Sequence, residues 1–387
     1  MKVGEASPIK HVFYIIKENR TYDQVLGDMK EGNGDTSLVL FGEKITPNLH
    51  ALAKNFVLLD NFYCDAEVSA DGHNWSMGGY ATDYLEKTWP TSYGGRGGDY
   101  DGEGTRAIAN NKAGFIWDHS KRNNVSFRTY GEFADRNDKP NLAVLKGHTA
   151  PHFTGWNLGV RDTVRYSQWK YDFDSLVTAN ALPQLNTLRF GNDHTEGVRR
   201  GRPTPYAHVA DNDLAVGLFI EHLSQSPVWK ESVVFILEDD AQNGADHVDA
   251  HRSPVYVIGP YVKRNFVDHS MYSTTSVLRT IELILGMPPM TQYDAAANPM
   301  WKSFTASPNI SGFTHKSSNV DLNDKNKAQN EIARLSESFD FTHEDNVPDG
   351  IFNEVLWKAI KGTDAVVPAP SRAAFVKLSK KKKKDDD

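Results

Sequence analysis

Three stretches of this sequence carry side chains of types that do chemistry. Glu18-Asn19 closes the apolar run HVFYIIK, and a hard or borderline divalent cation takes such oxygen ligands. Ser69 lies in EVSADGHNW, four residues before His73, with Gly72 between them. A serine hydroxyl is a weak nucleophile until a base or a metal activates it, and the sequence offers no convincing Gly-x-Ser-x-Gly elbow, so metal activation is the indicated route. The third stretch is EDDAQNGADHVDAH, Glu238 to His251, where acidic side chains and two histidines surround an Asn243-Gly244 turn directly after an apolar run. So much negative charge beside a buried strand is unfavourable unless a cation neutralises it. Asp193-His194 in RFGNDHTEG is a further pair able to complete such a site. Each has a plainer alternative: a solvated strand end for Glu18, a helix cap for Ser69, an exposed acidic loop for 238–251 and a glycine-bounded turn for 193–194.

The elements that must position these groups read as strands alternating with helices. His11 to Lys17, Phe56 to Leu59, Ser126 to Tyr130, Ser232 to Leu237 and Val255 to Ile258 are short runs rich in β-branched and aromatic residues, as in parallel strands buried on both faces. Helices are expected at Lys112 to Lys121, at Asn212 to Leu223 with a cap at its start, and at Thr274 to Leu285 closed by Gly286, with another starting near Ser69. The pattern predicts an α/β fold whose sheet is covered on both faces, with ligands collecting at the carboxyl ends of the strands, where two strands end in acidic pairs.

Composition narrows the function classes. With 39% hydrophobic, 24% charged and 11% aromatic residues, the 387-residue chain can bury a large core. A formal net charge of -7 gives no general attraction to nucleic acid or anionic membrane, so no nucleic-acid surface is expected and an anionic substrate must be caught locally. The single cysteine, Cys64, excludes an internal disulfide framework and a cysteine-based zinc finger. No apolar run reaches transmembrane length, and the start shows no signal-peptide pattern; it looks like a domain cut from a longer chain, with fusion to an upstream segment as the corresponding expectation.

The opening KENRTYDQVLGD resembles the ENxxxD opening of the bacterial phosphoesterases that include phosphatidylcholine-type phospholipase C and a periplasmic acid phosphatase, within the alkaline phosphatase superfamily. The later DDAQNGADHV is similar in spacing to that family's DE…G…DHV segment, and the two motifs come in the right order over roughly residues 10–289. Ser69-x-x-x-His73 resembles the nucleophile segment of nucleotide pyrophosphatases, where threonine stands in place of serine. The resemblance implies a three-layer α/β/α sandwich around a mostly parallel sheet, Glu18, Asn19, Asp239 and Asp240 as metal ligands, and Ser69 as a nucleophile bridging to metal. It further implies His251, His247, Asp193 and His194 as ligands of a second ion, and an extracytoplasmic setting, periplasmic or secreted. The metals expected are one or two divalent ions, zinc first, with calcium or manganese as alternatives. The chain departs from pattern where two-zinc relatives have aspartate-histidine and this sequence has Asp239-Asp240, and where ENxSFDHYFG has become ENRTYDQVLG.

These expectations describe a metal-dependent hydrolase of a small phosphoester, passing through a phosphoserine, with Arg20, Lys17, His73 and Asn74 placed to hold phosphoryl oxygens. Two rivals remain: a sulfate-ester hydrolase of the same fold, weakened because Cys64 lacks the Cys-x-Pro-x-Arg context, and a non-catalytic metal-stabilised binding module. The expected organisation is a core over 8–310 with insertions at about 85–110 and 150–205, a helical extension over 311–370 and a charged tail over 371–387.

Overall fold

The computed structural model describes residues 6–93, 96–98, 100–134, 139–343 and 346–372; the charged tail from 373 onward lies outside them. The strands are β1 (His11–Lys17), β2 (Val57–Leu59), β3 (Phe62–Tyr63), β4 (Phe127–Tyr130), β5 (Leu185–Arg189), β6 (Ser232–Glu238), β7 (Val255–Ile258), β8 (Phe266–Asp268) and β9 (Tyr272–Ser273). The α-helices are α1 (Tyr22–Leu26), α2 (Pro47–Asn55), α3 (Ser69–Gly78), α4 (Asp83–Tyr93), α5 (Ile116–Arg122), α6 (Asp162–Thr178), α7 (Pro205–Ser224), α8 (Thr274–Leu285), α9 (Gln292–Ala296), α10 (Glu331–Glu337) and α11 (Asp349–Lys361).

The central sheet runs β4-β5-β1-β6-β7. Its first four strands are parallel, and only β7 is antiparallel to its neighbour. Continuous apolar sequence in β1 and β6 follows from burial on both faces: Val12 to Ile16 and Val233 to Leu237 are wholly enclosed. On one face Phe13 packs edge-on to Trp169 of α6 and Phe219 of α7, with ring centroids 6.3 and 5.8 Å away. On the other, Trp117 of α5 donates its indole N–H to Thr187 of β5. The three-layer arrangement therefore has its core on both sides of one sheet. No helix among the described residues is long and apolar enough to cross a membrane.

Several local expectations change. The run at 56–59 becomes β2, which pairs with β8 in a separate two-stranded sheet. The helix expected from Lys112 begins only at Ile116, because Gly114 adopts φ +83°, which no helix continues through. Asn212 is not a cap: α7 starts seven residues earlier behind Thr204, whose hydroxyl accepts from Ala207 N–H, and Asn212 donates instead to Asp162 and to the Phe190 carbonyl, both at 2.9 Å. The segment 150–205, expected as an insertion, contains α6 and β5, which lies between β4 and β1 in the main sheet.

Candidate active site

The carboxyl ends of four adjacent strands, β4, β5, β1 and β6, deliver Glu132, Arg189, Glu18 and Asp239-Asp240 to one edge of the sheet. Asn19 follows Glu18 at φ +65°, a left-handed conformation that asparagine tolerates and that turns its amide back over the strand ends. Ser69 arrives from the opposite side as the first residue of α3. Gly72 allows this approach: a Cβ there would lie 2.8 Å from the Asp239 carbonyl oxygen, so the helix can rest on the end of β6 only because position 72 has no side chain. Ser69 is not the cap; Val68 precedes the helix, and Asp71 accepts from the Val68 and Glu67 N–H groups at 2.9 and 3.1 Å.

Glu18, Asn19, Ser69, His73, Asp239 and Asp240 are all buried. Ser69 Oγ donates to Asp240 Oδ2 at 3.0 Å and faces Asn19 Oδ1 at 3.2 Å. That amide oxygen also stands 3.0 Å from Asp239 Oδ1 and 3.3 Å from Glu18 Oε2, so it faces only oxygens. Turned over, the amide would donate to all three and accept from Gln242 Nε2 at 2.9 Å. In that second orientation the amide is satisfied within the protein, and the oxygens around it keep the roughly 3 Å separation of ligands about 2.1 Å from a small octahedral ion.

The electrostatics agree. Burial, then the neighbouring Asp239, pushes Glu18 up to about 7 against the pull of Arg189 and His73. Burial, then Asp239 and Asp349, holds Asp240 well above the carboxylate range, and Asp239 Oδ2 has no hydrogen-bond partner. Carboxylates in such surroundings either keep protons or take a metal.

The other residues singled out in the sequence lie elsewhere. Asp193 accepts from Lys17 Nζ at 2.6 Å and from the Glu18 N–H at 3.2 Å, and Lys17 spans to Glu238 at 2.8 Å, so both brace the floor of the site. Arg20 is turned toward backbone carbonyls, donating to Asn19 at 2.7 Å, to His194 at 2.9 Å and to Asp193, which leaves it committed to the turn rather than to a phosphoryl group. His194 meets the Thr195 carbonyl, its ring stacks on Phe352, and burial pushes it down to about 3. Asn74 donates to the Ala109 carbonyl. His247 pairs with Asp23 at 2.6 Å, and that group, with Asp246, is already filled by the Arg252 guanidinium. His251 lies between Glu67 at 3.0 Å and Asp249 at 2.7 Å. The four late candidates for a second ion are therefore not gathered at Glu18 and Asp239.

The structure adds residues that sequence reasoning missed. Arg189 donates to Glu18 Oε1 at 3.0 Å and Glu103 Oε1 at 2.8 Å and contacts His73 Nε2. Glu132 meets His73 Nδ1 at 3.1 Å. Gln242 reaches from the acidic loop to Asp349 at the start of α11, which brings the C-terminal extension against the site. The one local signal was that Arg189 stands two residues before the glycine-bounded turn holding Asp193 and His194.

The profile of the Phosphoesterase family matches residues 31–288, two thirds of the chain, beginning after the Glu18-Asn19 motif. No curated protein matches the sequence. Among solved structures, the chain is similar to a protein of the alkaline phosphatase superfamily from Vibrio parahaemolyticus, at TM-score 0.52 and 17% identity over 76% of this chain and 71% of that one. It is similar as well to human ectonucleotide pyrophosphatase/phosphodiesterase 5, at TM-score 0.51 and 12% identity over 77% of this chain and 100% of that one. A Bacteroides thetaiotaomicron protein of glycosaminoglycan metabolism, designated "6S-sulf", aligns at TM-score 0.51 and 10% identity over 77% and 82%. These likenesses are of fold. With a central, mostly parallel sheet, polar and acidic groups at its carboxyl edge and a family match over most of the core, the chain belongs to the Phosphoesterase family and is an ester-bond hydrolase with the alkaline phosphatase-like fold.

Proposed function

We propose that this protein hydrolyses phosphoesters through Ser69, with Glu18, Asn19, Asp239, Asp240 and the serine oxygen holding a divalent cation. The observation that carries the reading is the buried cluster of Glu18, Asp239 and His73, whose ligand atoms lie within 4.8 Å of one another and in which Asp239 Oδ2 has no hydrogen-bond partner. A bound divalent ion lowers the pKa of a coordinated hydroxyl and offsets phosphoryl charge. Oxygen donors predominate, with His73 Nε2 3.4 Å from Glu18 and 3.6 Å from Asp239, a mixed set that manganese and zinc both accept.

The chain's own groups supply the rest. Asp240 Oδ2, 3.0 Å from Ser69 Oγ, accepts the serine proton as the oxygen–phosphorus bond forms and the leaving-group bond breaks. Ser69 sits at the amino end of α3 behind a residue with no capping side chain, so first-turn N–H groups and the positive end of the helix dipole face the developing charge. Water then cleaves the phosphoserine. The substrate is a small phosphoester, met outside the cytoplasm as the sequence resemblance implies.

Acid quenching during turnover of a labelled phosphomonoester should leave label on the peptide containing Ser69, and Ser69→Ala should lose several orders of magnitude in turnover while keeping its fold. Near-normal turnover by Ser69→Ala would overturn the assignment. Sulfate-ester cleavage is the rival within the same fold, and turnover of a nitrophenyl sulfate in preference to the phosphate would favour it.

A further inference from the structure

Glu132 is buried and remote from Ser69 in sequence, yet it is aimed at the site by an unusual turn. After β4 the chain passes through Gly131 at φ +88° and Phe133 at φ +50°, two left-handed residues flanking Glu132. Such backbone persists where surrounding structure enforces it, and here it points the carboxylate at His73. Glu103 is itself at φ +50°; Asn141 donates to its carbonyl and Tyr100 to its carboxylate. Between these two acids lie His73 and Arg189, both buried.

Donor and acceptor chemistry fixes the order of the chain. His73 Nε2 contacts Arg189 and lies 3.4 Å from Glu18 Oε1 and 3.6 Å from Asp239 Oδ2. Its Nδ1 stands 3.1 Å from Glu132 Oε2, and because a carboxylate only accepts, Nδ1 is the donor to Glu132. Arg189 in turn holds Glu18 Oε1 at 3.0 Å, while the other oxygen of the same carboxylate, Oε2, faces Asn19. Glu18 is thus divided, one oxygen fastened to Arg189 and one left for the ion.

We infer that Glu132, through His73 and Arg189, positions Glu18 for metal binding, with Glu103 anchoring the guanidinium from the opposite side. The inference rests on the reading that Glu18 and Asp239 hold the ion. Glu132 is a positioning residue; it acts through His73, and its loss is felt at the far end of the relay. Groups that orient ligands in this way typically carry 10- to 100-fold in metal affinity or activity.

The test titrates manganese into metal-free protein by calorimetry for wild type, Glu132→Ala, Glu132→Gln and Asp239→Asn, with the melting temperature of each metal-free form. Glu132→Ala should bind about 10- to 100-fold more weakly, and Glu132→Gln, whose amide oxygen still accepts from Nδ1, should recover most of that loss. Nitrogen-15 spectra of the histidines should show His73 protonated on Nδ1 in the wild type and in Glu132→Gln. Wild-type affinity in Glu132→Ala together with loss in Asp239→Asn would overturn the relay alone; wild-type affinity in Asp239→Asn would instead remove the metal site on which it rests. If Glu132→Ala does not fold, a His73 Nδ1 without a proton in the wild type overturns the proposal, and a protonated Nδ1 with the affinity of Glu132→Gln within a few fold of wild type supports it.

Discussion

Gly72→Ala isolates the contact that places the serine. The added Cβ would stand 2.8 Å from the Asp239 carbonyl oxygen and 2.9 Å from its carbon, whereas ordinary contact begins at 3.4 Å. Both atoms are backbone at the end of a buried central strand, so α3 must retreat by about 0.6 Å rather than the strand. Ser69 is one turn earlier on the same helix and retreats with it, lengthening the 3.0 Å approach to Asp240 Oδ2. Misplacement of a reacting group by about 1 Å costs roughly 100-fold, so a shift of this size corresponds to about a tenfold loss in kcat. Stability changes less, because the roughly 1 kcal/mol gained in helix propensity offsets part of an overpacking cost of about 1 to 3 kcal/mol. Initial rates on a nitrophenyl phosphate, with metal content and Tm measured on the same preparations, separate the two effects. Wild-type kcat in a folded, metal-loaded Gly72→Ala protein would refute the claim that the close approach of α3 to β6 sets the position of the nucleophile.

Three further outcomes follow from the same geometry. Chelation should abolish turnover and lower Tm, since the buried Glu18, Asp239 and Asp240 lose the charge that balances them, and readdition of manganese should restore both; full activity in metal-free protein contradicts the site. His251→Ala should leave metal content unchanged by elemental analysis, because His251 is held by Glu67 and Asp249 outside the oxygen cluster; a fall in stoichiometry would return it to the site. Glu282, which burial and then Asp294 push up to about 9 from an ordinary 4.5, binds a proton more tightly in the folded chain. Its contribution is therefore complete below about pH 4.5 and is lost as pH rises toward 9, so Glu282→Gln should flatten the decline of Tm over that range, and a parallel decline in both proteins would refute the assignment.

Certain features of this protein are set by local sequence. The continuous apolar runs of β1 and β6 specify strands buried on both faces, and the polar groups directly after them must emerge at the carboxyl edge, so Glu18-Asn19 and Asp239-Asp240 were readable as one site. Ser69 was readable too, since a hydroxyl four residues before His73 with glycine between them is a local pattern. The strand that carries Arg189 was not: LNTLR has buried Asn186 and Thr187 at its centre, and their burial makes sense only with the partners that packing supplies, such as the Trp117 indole on Thr187. Glu103 and Glu132 likewise reach His73 and Arg189 across separations of up to 86 residues, through turns whose left-handed residues leave no period in the sequence. The late histidines show the converse. In sequence, His247 and His251 share one acidic loop with Asp239, but the tertiary structure engages both ring nitrogens of each, by Asp23 and Asn33 for His247 and by Asp249 and Glu67 for His251, which leaves neither nitrogen turned to the oxygen cluster.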